Sequence, residues 1–95
     1  MIEELTNRLR AAEILADPTL ALVAVELVET RRRKTASGYR LFVNIAPVAV
    51  VVQTAEETYA LDMDARGTDL DRLLVGVPEL QTMLAELQNR QNSPR

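Results

Sequence analysis

The densest cluster of reactive side chains is "RRRKTASGYR", residues 31–40, which places Arg31, Arg32, Arg33, Lys34 and Arg40 within ten positions. Guanidinium and ammonium groups at this density can grip phosphates, and the neighbouring Tyr39 and Phe42 could stack on bases. The same cations could dock an acidic protein surface. A plainer reading makes them the solvated tip of a turn, where charge discourages stray strand pairing. The charge balance decides between these uses. The chain carries 14 acids against 11 bases, a net charge of −3, with a sequence pI near 4.9. That is opposite to the usual nucleic-acid footprint, so the sequence favours the turn and argues against nucleic acid.

Other chemistry finds less support. In "DMDARGTDLD", Asp62, Asp64 and Gly67 fall at positions 1, 3 and 6 of a calcium loop. Position 5 is Arg66 and position 12 is Leu73, where oxygen ligands are required, so no metal site is assigned. Without histidine or cysteine, His-based triads, His metal sites and thiolate chemistry are excluded. Lys34 precedes Ser37 as K-x-x-S, the reverse of the S-x-x-K order, and stands in a presumed exposed loop. Glu56 and Glu57 lie at a turn, and Gly38, Gly67 and Gly76 form no phosphate loop. The sequence leans away from an enzyme and calls for no cofactor.

The elements that must carry these residues follow from periodicity. Ile2, Leu5, Leu9, Ala12 and Ala16 step by 3, 4, 3 and 4, which predicts a helix over 2–16, bounded by Pro18. "LALVAVELVE" alternates at Val23, Val25 and Leu27, although Asp17-Pro18 also suits a helix start. A polar stretch ending in Ser37-Gly38 and a strand-like "YRLFVNI" downstream resolve it as a hairpin, with strands over 20–30 and 39–45. After Pro47, "VAVVV" predicts a third strand. "TYALDM" predicts a fourth, with Tyr59, Leu61 and Met63 facing in and Ala60 and Asp62 facing out. Thr68 and Asp71 resemble a capping box. Leu70, Leu73, Val77, Leu80, Leu84 and Leu87 then step 3, 4, 3, 4 and 3, across a break at Gly76-Val77-Pro78 that predicts two helices or one bent one.

These elements define an α+β fold, a four-stranded antiparallel meander with an N-terminal helix and one or two C-terminal helices, ordered α-β-β-β-β-α-α. Residues 1–87 form the domain, and 88–95 are read as a flexible polar tail. Apolar residues make up 47% of the chain but aromatics only 3%, so the core must be aliphatic.

One sheet face should be wet in such a meander, yet "VAVVV" is apolar on both sides. If Ala46 and Pro47 form a loop, Ile45 pairs with Val48, and Phe42, Ala49 and Val51 share the second face. Leaving that face in water forfeits about 1.5–3 kcal/mol per large side chain. Its own helices could cover it, or a second copy of the chain. Three short helices are little material for two layers, so a homodimer through Phe42, Ala49 and Val51 is expected. The alternative is a nucleic-acid or acidic-partner binder using Arg31, Arg32, Arg33, Lys34, Tyr39 and Arg40.

The start, "MIEELTNRLR", mixes charges of both signs, unlike a secretory signal, and the longest apolar run, "IAPVAVVV", is too short to span a membrane. With no cysteine to oxidise, the expected setting is cytoplasmic.

Overall fold

A computed structural model describes residues 3–92. Five antiparallel strands run in chain order across one sheet: β1 (Glu3–Ala16), β2 (Leu20–Thr35), β3 (Gly38–Thr54), β4 (Thr58–Asp62) and β5 (Gly67–Thr68). Two helices follow, α1 (Leu70–Gly76) and α2 (Pro78–Asn92). The architecture is α+β, with a meander and two C-terminal helices as the periodicity implied. The expected N-terminal helix and four-strand count are not observed.

Residues 3–16 form a strand because of partners distant in sequence. β1 runs in register with β2 from Glu3 opposite Arg33 to Ala16 opposite Ala21. This alignment sets acids against bases. Arg31 Nε lies 3.1 Å from Glu3, and Arg10 Nε donates to Glu26 at 3.0 Å. The 3–4 spacing of Leu5, Leu9, Ala12 and Ala16 is real, but long-range pairing overrides it. Ile2, the first residue of the expected stripe, lies outside the described residues. The Asp17 carboxylate accepts hydrogen bonds from the Thr19 amide, the Thr19 hydroxyl and the Leu20 amide, closing the β1–β2 turn.

The loop expected at Ala46-Pro47 does not form. β3 is continuous through Pro47, and Val48 is an extra residue, since Val25 pairs with Ala49 and Glu26 with Pro47. Proline is tolerated because β4 pairing begins only at Ala49, leaving Pro47 on an edge beside a bulge. The β2–β3 hairpin instead turns at Ala36-Ser37, where Gly38 adopts φ +141° and the Thr35 hydroxyl donates to its carbonyl. Arg31 to Lys34 therefore belong to a strand and do not form a loop tip.

The helices roof one face over half of the sheet's length. Val77, Leu80, Leu84 and Leu87 are buried against Ala21, Val23, Val25, Ala49, Val51 and Ala60. Beneath them Gln53 is buried, its amide donating to the Leu84 carbonyl at 3.0 Å. α1 is capped by Asp69, which accepts from the Arg72 amide, whereas Thr68 lies in β5 opposite Ala60. The expected Thr68–Asp71 box is thus replaced by a cap one residue later. Pro78 opens α2 as expected, but the helix continues through Asn92, so 88–92 are not a free tail.

Beyond the roof, the first half of β1, the second half of β2 and the first half of β3 form a bare three-stranded arm. The arm gives the molecule extents of 58 × 30 × 20 Å and a radius of gyration of 16.9 Å. A compact chain of this length would measure about 12 Å. On the outer edge of β1, the Ala11 amide donates to the Glu79 carboxylate of α2 at 2.9 Å.

Candidate functional site

The residues expected on the open second face are divided between the roofed body and the bare arm. Ala49 and Val51 were expected on the open side, and the structure buries both beneath α2. The bulge at Val48 keeps Phe42 on that same side, yet Phe42 lies out on the arm opposite Arg31, 51% exposed. Phe42, Ala49 and Val51 therefore do not form one surface. β4 is inverted in the same way: Ala60 is buried inward, while Tyr59 and Leu61 turn outward with Val52 and Val50, their cross-strand partners. The physical reason is size. Ala21, Ala49 and Ala60, set among Val23, Val25 and Val51, leave room for the leucines of α2 to approach the sheet.

The open face is the other one. On the body it carries Leu22 opposite Val52 and Ala24 opposite Val50, flanked by Tyr59 and Leu61. Past the bulge it continues along the arm with Val28 opposite Ile45, then Val43 and Leu41. Ala24, Val28 and Val52 on this face are already buried within the single chain, so its exposed apolar part is the β3 row on the arm. Leu41, Val43 and Ile45 are 64%, 55% and 44% exposed. The chain exposes 6900 Å² in total, against about 5,500 Å² for a compact monomer of this mass. The excess, about 1,400 Å², reflects this face together with the bare sides and edges of the arm.

At the arm's end the basic residues meet acids supplied by β1. Glu3 bridges Arg31 and, at 4.0 Å, Arg33, while Glu4 lies 4.0 Å from Arg32. The Arg32 guanidinium also sits 4.2 Å from the centre of the Tyr39 ring, a cation–π contact. Among the described residues, Lys34 and Arg40 have no carboxylate partner within 4.0 Å. Five bases and two acids leave the tip at +3. The crevice there, lined by Glu4, Arg32, Lys34 and Tyr39, has a volume of about 120 Å³, below the usual range of ligand pockets.

The opposite end of the sheet is acidic. Asp17 stands in the β1–β2 turn, and Glu56 and Glu57 in the β3–β4 turn, beside one another because Leu20 pairs with Thr54. The Asp17 carboxyl is held below its ordinary pKa, chiefly by the Thr19 amide, then by the Thr19 hydroxyl and the Leu20 amide. The expected β1 helix hid the contribution of Glu3 and Glu4 to the basic tip. The signal that could have revealed it was the acid pair at 3–4 facing a basic run in an alternating register.

Nothing else assembles into a reactive constellation. Asp62 spends one carboxylate oxygen on the amides of Asp64 and Arg66, an Asx-type turn. Among the described residues, no three acids converge as a metal-binding group. A groove of about 450 Å³ between β4 and the helices is lined by Gln53, Thr58, Gln81, Gln88 and aliphatic side chains, with no titratable group among its lining residues. No helix described here is long and apolar enough to cross a membrane. Compared with protein-family models, curated proteins and solved structures, the chain matches none.

Proposed function

We propose that this chain is a non-enzymatic assembly module that pairs with a second copy through the open face of its sheet. The observation that carries the reading is the exposed β3 row on that face, Leu41, Val43 and Ile45, which leads to the more shielded Val50 and Val52 of the body. An uncovered apolar surface of this extent is unusual for a protein that works alone. The absence of cysteine suits work in a reducing cytoplasm.

Sedimentation equilibrium across a wide concentration range tests the reading. A dimer held by apolar burial persists when salt is raised. A chain that stays monomeric at every concentration would end the proposal.

The alternative, capture of nucleic acid or an acidic partner by the basic arm, keeps the +3 tip in its favour. Against it stand Glu3 and Glu4, which engage three of the five bases, and the acidity of the whole chain. Binding through phosphates would weaken steeply with salt, the opposite of the behaviour expected for the apolar pair.

A further inference from the structure

We infer that the two copies pair antiparallel, each basic arm tip lying over the acidic end of its partner. This rests on the pairing proposed above and adds its geometry. The ends of the sheet carry opposite charge. Arg31, Arg32, Arg33, Lys34 and Arg40 less Glu3 and Glu4 give +3 at one end. Asp17, Glu56 and Glu57 give −3 at the other. A parallel pair would stack like charge on like at both ends. An antiparallel pair satisfies both ends at once, and a two-fold axis generates both contacts from one.

The register places that axis. β2 runs from Leu20 to Thr35, and its midpoint on the open face is Val28, opposite Ile45. An axis through this pair sets Ile45 against its own copy. Leu41, four residues out along the arm, then falls over the partner's body near Ala24 and Leu22. The hairpin turn at Ala36-Ser37 reaches the level of the partner's Leu20 and Thr54, beside the three acids. The β3 row of each arm meets the β3 row of the partner's body, with the polar Thr30 and Arg32 of β2 beside it, and the match is self-complementary.

The chain has no cysteine, so a single introduced thiol reports without background. A spin label on Lys34→Cys reads the distance between the two copies of the dimer. The antiparallel pair predicts about 40 Å, twice the six-residue run from Val28 at ~3.3 Å per residue. A label separation of about 10–20 Å, the spacing of stacked sheets, with the dimer intact, would overturn the antiparallel geometry but leave the pairing standing. Loss of any pair signal in unlabelled chain, seen as a monomer by sedimentation, would overturn both.

Discussion

Replacing Leu41 by threonine should split the proposed pair while leaving the single chain folded. Leu41 is 64% exposed in the isolated molecule, so threonine removes little packing, and its β-branch suits a strand. Full burial of a leucine is worth about 1.5–3 kcal/mol. The part still available for burial in a pair is therefore about 1–2 kcal/mol. Two-fold symmetry counts it twice, giving about 2–4 kcal/mol, and the retained methyl group places the result towards the lower end. That corresponds to a dissociation constant raised on the order of 30- to 700-fold. Sedimentation equilibrium of both proteins at matched salt measures the change. Far-UV circular dichroism and thermal unfolding of dilute samples show whether the single chain is intact. An unchanged dissociation constant for a folded Leu41→Thr chain would refute burial of this row. A comparable loss from Phe42→Thr, on the other side of the arm, would show that the wrong face had been chosen.

Other perturbations separate the fold from its surface. Leu80→Ala, at the fully buried centre of the helix–sheet contact, should cost about 2–5 kcal/mol in denaturant unfolding at fixed protein concentration. Gly38→Ala meets no neighbouring atom but must hold φ near +141°. It should destabilise the arm hairpin by about 1–3 kcal/mol, seen as faster amide exchange around Thr35 and Tyr39 with β4 unaffected. The Asp17 pKa is depressed in the folded state, so its contribution is present above the unfolded value near 3.9 and fades as pH falls through the lower folded one. Asp17→Asn should be less stable than the parent at neutral pH, and the difference should shrink below about pH 4 in acid titrations followed by circular dichroism. Replacing Arg31, Arg32 and Arg33 by serine should leave a dimer detectable at high salt. A salt-steep affinity for a labelled DNA or RNA duplex that these substitutions abolish would instead favour the phosphate-binding alternative.

The helical C-terminus was legible because its signals are local. Leucines at steps of 3 and 4 and a proline at the second helix start speak within one turn of themselves. The body strands were legible for the same reason, from Val-rich alternation. β1 was not, because nothing near residues 3–16 announces a strand. What holds it is the long backbone pairing with β2, to which the Glu3–Arg31 and Arg10–Glu26 ion pairs add little, and all of these need β2 already in place. The continuity of β3 was hidden by Pro47, which reads as a break until the missing β4 partner and the Val48 bulge explain its tolerance. The roof was assigned to the wrong face for a subtler reason. Both rows are apolar, with Val23, Val25 and Val51 on one and Val50 and Val52 on the other, so hydrophobicity does not separate them. Phe42, Ala49 and Val51 lie on one side of β3, but Ala49 and Val51 are covered by α2 and Phe42 stands apart on the arm.

The contact between Glu79 and the Ala11 amide has a consequence for how far pairing could spread. An incoming strand laid along β1 would find outward-facing backbone from Glu3 to Leu9, by the alternation of antiparallel pairing. At Ala11 it would meet a carboxylate already holding the next donor, with the helix behind it. The edge thus has a stopper partway along. Side-by-side stitching of one molecule to the next can begin on the arm but cannot run the length of the sheet, which favours closed pairs over open-ended fibres.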